Sequence, residues 1–170
     1  MKLFQILLIL LSFSIFLDAY ESEDKLKTVI TGKVAKYISW QEKDSEFFNI
    51  VVLNNQFGTL FDDVFEDKKI KSKPVYIHYI EYIQEIGMAD ILFISELGEN
   101  SLDSVLAFTK GKNILTLSDL RGFAQKGGAI QFYFVGQKLK LKMNTDVMQE
   151  EGFHVERTLL KIVDITKGDK

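Results

Sequence analysis

Ser118, Asp119, Gly127 and Gly128 make the best case for binding chemistry in this chain. Ser118 and Asp119 stand where the apolar run Asn113–Leu117 stops. Gly127 and Gly128 stand where the next run, Ala129–Val135, begins. From Asn113 to Phe134 the pattern reads strand, polar turn, short helix, Gly-Gly turn, strand. In an open α/β sheet, ligands sit where buried strands end, so these four are the candidate ligand-binding residues, with exposed amides at the glycines serving a small ligand. Each also has a structural use. Either Ser118 or Asp119 can accept hydrogen bonds from the first free amides of a following helix. Gly127–Gly128 suits a turn that needs positive φ, or a close approach of backbone.

The other chemistry-bearing residues do not form sets. His78 and His154 are the two histidines and cysteine is absent. Neither histidine belongs to a spaced cluster of the kind zinc requires, and there is no thiol nucleophile. No serine lies in a Gly-x-Ser-x-Gly elbow. Gly122 to Gly128 lacks the Lys-Ser/Thr pair of a phosphate loop and the spacing of a dinucleotide fingerprint. Asp62–Asp63, Glu66–Asp67 and Glu150–Glu151 are adjacent pairs in polar stretches, which read as solvated surface. The expectation is a protein that is not an enzyme and uses no metal and no cofactor.

The chain has 170 residues and a net charge of -3. Met1-Lys2, the apolar run Leu3 to Leu17 and the small Ala19 have the order of a secretory signal peptide over residues 1–19. The run is too short to span a bilayer, and no later stretch is long and apolar enough to do so. Residues 20–170 are then expected to be one soluble, exported domain, periplasmic in a cell with two membranes, without membrane insertion after cleavage. The mild acidity argues against nucleic acid as a partner. The lysines at 68, 69, 71 and 73 abut Glu66 and Asp67 and read as a solvated loop. Without cysteine, packing alone must hold the fold, and lipid attachment at a cysteine is excluded.

The elements that position these residues alternate in type. Lys25–Ile38 has helical period, with Leu26, Val29, Ile30, Val34 and Tyr37 on one face. Phe48–Leu53, Pro74–Ile80, Asp90–Ser95 and Asn113–Leu117 read as strands. Thr59–Glu66 reads as a short helix, and Ser101 to Thr109 as a helix that Gly111 ends. Continuous apolar strands separated by helices point to a parallel sheet covered on both faces. Ala129–Val135 and Lys138–Met143 flank Gly136-Gln137, a two-residue hairpin signature. Alternating lysines on the second arm suit an edge strand. The closing segment, with Val155, Leu159, Leu160, Ile162 and Val163, reads as helical. The fold class expected is an α/β single-domain sandwich, with a mostly parallel central sheet, helices on both faces and a C-terminal antiparallel hairpin.

Ala35–Trp40, Ile91–Ser95, Ile114–Asp119, Gly122–Gly128, Lys142–Asn144 and Arg157–Lys161, in that order and spacing, resemble the YfiR/HmsC-like family of periplasmic proteins. The resemblance runs from about Val29 to Val163. It implies an α/β sandwich that tends to dimerise, and a regulator rather than an enzyme. The implied partner is the outer part of an inner-membrane diguanylate cyclase, held off by binding, so that release raises cyclic di-GMP and promotes biofilm. A related theme is a small-molecule sensor domain that works with a sensor histidine kinase. The chain departs from the family pattern at Ala89-Asp90, where a cysteine-histidine pair is usual, at Gln41, where proline is common, and at Glu156-Arg157, where small serines are usual. Glu156, Leu159 and Leu160 of the closing segment are the candidate partner-binding residues. The alternative for the two leucines is core.

Overall fold

The computed structural model describes residues 23–41 and 43–168. The signal peptide expected at 1–19 lies outside them. An opening helix, α1, covers residues 23–36 and leads into the two-residue strand β1 (Ile38–Ser39). The main sheet is then laid down by β2 (Phe48–Leu53), β3 (Lys69–Ile70), β4 (Lys73–Ile80), β5 (Ile91–Ile94), β6 (Leu115–Ser118), β7 (Ile130–Val135), β8 (Lys138–Asn144) and β10 (Asp164–Thr166). Between them lie α2 (Leu60–Phe65), α3 (Leu102–Thr109), α4 (Thr145–Glu150), the strand β9 (His154–Val155) and the single-turn helix α5 (Arg157–Leu160). A 3-10 turn, Ile83–Glu85, joins β4 to β5.

The eight strands lie in the order β10-β8-β7-β6-β5-β2-β4-β3. β4, β2, β5, β6 and β7 are parallel to their neighbours within this group. β3–β4 and the β7–β8 hairpin are antiparallel. β1 and β9 pair separately, antiparallel. This is the mostly parallel sheet with a terminal hairpin that the apolar runs predict. Every residue of β5 and β6 is buried, as is β2 from Ile50 to Leu53. Side chains alternate across a strand, so both faces need cover. Ile50, Val52, Ile91, Phe93, Leu115 and Leu117 pack under α1, α2, α4 and α5. Val51, Leu53, Leu92 and Ile94 pack under α3 and the 3-10 turn.

Four expectations need correction. The face of α1 pressed inward is only partly the apolar one: Val34 is buried and Ile30 packs against the core, but Asp24, Lys27, Thr28, Thr31 and Ala35 are buried with them, whereas Leu26 and Tyr37 are exposed. Thr28 and Thr31 return their hydroxyls to the Asp24 and Lys27 carbonyls at 2.9 and 3.0 Å, which satisfies them inside the protein. The short helix expected after Asp119 is a run of turns, interrupted where Gly122 takes φ +76°. The closing helix is only α5, because His154–Val155 pairs with β1 and Asp164–Thr166 joins the sheet. β8 is only partly an edge, since β10 covers Lys142 to Asn144.

Phe93 is the hub of the larger core. Its ring lies 5.1 Å from Phe57, 5.4 Å from Phe61 and 5.8 Å from Phe132, centroid to centroid. Phe93→Ala should therefore lower the free energy of unfolding by about 3–5 kcal/mol, read from urea denaturation by tryptophan fluorescence. A loss under about 1 kcal/mol would mean the aromatic cluster collapses to fill the space.

Candidate functional site

The loop after β2 turns toward α2, on one face of the sheet. The loop after β5 turns toward α3, on the other. Strands β2 and β5 are adjacent and parallel, so their C-terminal ends part there and leave a crevice. This is the topological switch point of a doubly wound sheet, where such folds bind ligands. The crevice has a volume of about 280 Å³. Gln56 and Phe57 come from the first loop, Ser95 and Glu96 from the second, Asp119 from the end of β6, and Asp24 and Lys27 from the first turns of α1.

Lys27 is the centre of this site. Its Nζ donates to Asp119 Oδ2 at 2.6 Å and to Asp24 Oδ1 at 3.0 Å. The Asp24 and Lys27 side chains are almost wholly buried, and Asp119 keeps about a third of its surface, with side-chain exposures of 6%, 8% and 31%. The Phe57 ring lies 5.9 Å from the ammonium. Burial alone lowers the Lys27 pKa. The hydrogen bonds and charges of Asp119, then Asp24, outweigh it, and the net direction is upward from 10.5. With Glu96 at the mouth, three carboxylates face one ammonium. The crevice is therefore suited to a ligand carrying positive charge or several hydrogen-bond donors. The Gln56 amide nitrogen donates to Ser95 Oγ at 3.1 Å, which ties the two diverging loops together.

The four candidate ligand residues do not converge. Asp119 reaches the crevice. Ser118 is fully buried, donating to the Ile94 carbonyl at 2.8 Å and accepting from the Leu120 amide at 3.1 Å. Its role is to join β6 to β5 and start the following turn. Gly127 takes φ +103° and lines a different cavity, of about 220 Å³, with Leu106, Thr109 and Glu151. Gly128 is buried under Phe123: a Cβ there would stand 2.2 Å from the ring. Of the candidate partner residues, Leu159 is a core residue at 1% exposure, while Leu160 at 42% and Glu156 face solvent. Leu159 thus takes the core role weighed for both leucines, since successive side chains of a helix are turned about 100° from one another.

Sequence reading missed Asp24, Lys27, Gln56, Phe57, Ser95 and Glu96. One signal was available for Lys27, a charge between Leu26 and the apolar Val29–Ile30. It also missed three tethers. Asn144, wholly buried, accepts from the Asp146 and Val147 amides at the start of α4 and donates to the Ala124 carbonyl at 2.7 Å. Glu151, expected on solvated surface, accepts from the Gly111 and Asn113 amides at 2.7 and 3.0 Å. Asp90, in the Ala89-Asp90 departure, is buried and accepts from the Asn49 amide at 2.7 Å, fixing the entry to β2. His78 is exposed on β4 and His154 on β9. Among the described residues, no group of three or more metal-ligating side chains is suited to hold an ion.

The fold and its switch-point crevice define an α/β domain of doubly wound type. The chain matches the YfiR/HmsC-like family over residues 24–163 and belongs to it. That family is one of regulators, and membership is consistent with a periplasmic regulator of cyclic di-GMP signalling. Among solved structures, it is similar to the ABC domain in complex with L-Trp from Streptococcus pneumonia, with a TM-score of 0.53 and 10% identity. The match covers 70% of this chain and 55% of that one, and at this identity it speaks to fold alone. No curated protein matches significantly. Among the described residues, no helix is long and apolar enough to cross a membrane.

Two tests follow from the geometry. Lys27→Met leaves Asp24 buried without its cation, so stability near neutral pH should fall by about 3–5 kcal/mol. A raised folded-state pKa means that this contribution is complete below the unfolded value of 10.5 and is lost as pH rises through the folded value. The gap between wild type and variant in urea unfolding should therefore be wide at about pH 8 and narrower at about pH 11. Gly128→Ala should cost about 1–3 kcal/mol by forcing Phe123 aside, seen as a lower urea midpoint with an unchanged slope.

Proposed function

We propose that this chain is an exported, non-enzymatic regulator that binds the extracytoplasmic part of an inner-membrane diguanylate cyclase and holds it in its inactive state. The observation that carries the reading is the family match across nearly the whole described chain. The surface offers a second support. The closing segment exposes Leu160 at 42%, Ile162 at 64% and Ile165 at 52%, and exposed apolar side chains are the kind a contact surface uses. The mechanism is a population shift. The cyclase is repressed by as much as this protein prefers the inactive over the active form. Self-association into a homodimer belongs to the same proposal, as the family pattern implies.

The crevice at the switch point favours a second reading, in which a small ligand is sensed there and the output is a histidine kinase. Closure of the β2 and β5 loops, already linked through Gln56 and Ser95, would carry the signal.

Deleting the gene should raise cyclic di-GMP and surface attachment, and restoring the wild-type chain should reverse both. The chain carrying Leu160→Glu should fail to repress, while its unfolding free energy stays within about 0.5 kcal/mol of wild type, as surface substitutions do. Unchanged cyclic di-GMP in the deletion strain rejects the cyclase reading.

A further inference from the structure

β3 covers β4 only at Lys73 and Pro74, and the Val75 amide adds one more bond, to the Lys68 carbonyl at 3.1 Å. Beyond that point β4 is the outermost strand of the sheet, with β2 paired on its other side. The N–H and C=O of one residue point to one side of a strand, and those of the next residue to the other. Val75 points to β3. Ile80, whose carbonyl accepts from the Asn54 amide at 2.9 Å, points to β2. Ile77 and Tyr79 therefore turn their amides and carbonyls to the open side, and no described residue pairs with them there. Proteins blunt such edges with lysine, proline, bulges or short strands. Here the lysines and Pro74 stop where β3 stops. From Val75 to Ile80 there is no Lys, Arg, Asp or Glu, and the register with β2 is unbroken. Apart from His78, these residues are types that strands favour. An edge of this kind can take up an added strand.

The charge beside the edge selects what is added. Side chains alternate across a strand, so Val75, Ile77 and Tyr79 lie on the side of α2, where the Tyr79 hydroxyl donates to Asp62 at 2.6 Å. Tyr76 and His78 lie on the other side. Asp62 and Glu66 are four apart on α2 and share the face that overhangs β4. A cavity of about 370 Å³ separates α2 from the edge, lined by Asp62, Asp63, Glu66 and Asp67 and by no lysine or arginine. None of these carboxylates has an ion-pair partner among the described residues. The same charge argues against a second copy at this place. Antiparallel pairing of two β4 edges would set both α2 helices on one face of the joined sheet, with Asp62 and Glu66 of each turned toward those of the other, and like charges so placed repel. We propose that the free edge of β4 takes up an extended, basic segment of a partner protein as an added strand. Its backbone would bond to Ile77 and Tyr79, and every second side chain would be a Lys or Arg facing Asp62 and Glu66. The side chains between would pack beside Tyr76, which is 53% exposed and whose ring lies 5.8 Å from that of Phe47. The inference rests on the reading that this chain acts by binding a partner, and it adds a contact at the opposite edge of the sheet from β10 and the closing segment.

The test uses the exported chain and a synthetic peptide of about ten residues, with arginine at every second position and valine between. Fluorescence anisotropy should show saturable binding that weakens as salt rises, because the charge pairs lie near the surface. The same peptide with glutamates for arginines should bind at least about tenfold more weakly. Amide exchange followed by NMR reads the edge directly. With the arginine peptide bound, the Ile77 and Tyr79 amides should exchange at least about tenfold more slowly, while those of Tyr76 and His78, which face β2, change little. The double variant Asp62→Lys, Glu66→Lys should invert the preference between the two peptides, with urea denaturation checking that it remains folded. Equal binding of the two peptides by wild type, or binding that leaves Ile77 and Tyr79 unprotected, overturns the proposal. So does protection of these amides that grows with protein concentration in the absence of peptide, since a second copy would then occupy the edge. Capture of the cyclase's outer portion, run in parallel, separates the two claims. Capture without peptide binding rejects the edge and keeps the regulator. Peptide binding with protection but without capture keeps the edge and rejects that cyclase as the partner.

Discussion

Ile50–Leu53, Ile91–Ile94 and Leu115–Ser118 offer no exposed residue on either side of the sheet. Burial on both faces is the constraint from which the remaining architecture follows. Apolar area removed from water is worth about 25 cal/mol per Å², so three such strands supply much of the driving force only if both faces are covered. The chain meets this by sending α2 to one face after β2 and α3 to the other after β5. Their divergence opens the crevice. The site is thus a by-product of how the core is closed, and its rigidity comes from the same strands.

The second consequence concerns α1. A helix that begins above the strand ends must bury whatever faces the crevice, and here that is Asp24, Lys27, Thr28 and Thr31. Each of these polar groups finds a partner in the helix or at Asp119. An unpaired group at such depth would cost several kcal/mol. The Lys27–Asp119 contact therefore joins residues 92 apart in sequence and fixes the opening helix to the end of β6. Of the helix's apolar stripe, Val34 joins the core and Ile30 packs against it, while Leu26 and Tyr37 stay exposed.

The regular elements were legible because their signals are local. The apolar runs at β2, β5 and β6, the cap at Ser101, whose hydroxyl accepts from the Ser104 amide at 3.1 Å, and the Gly136-Gln137 hairpin all depend on neighbouring residues. The closing segment was misread because its apolar residues serve three different surfaces, and a single helical period cannot register that. The candidate site was legible only at Asp119. Ser118 and Gly128 are tied up in holding β6 and the turn region together, and Gly127 opens on another cavity. Their proximity in sequence spans a turn that carries them apart in space.

Composition, periodicity and motif order were enough to determine the α/β class and the family, because each is written in residue types at short spacing. Tertiary structure alone decided that Lys27 sits between Asp24 and Asp119 and that Gln56 and Ser95 bridge the parting loops. These depend on which helix face turns inward. That choice is made by the balance between burying apolar stripes and satisfying buried charges across the whole molecule, and no local pattern records its outcome.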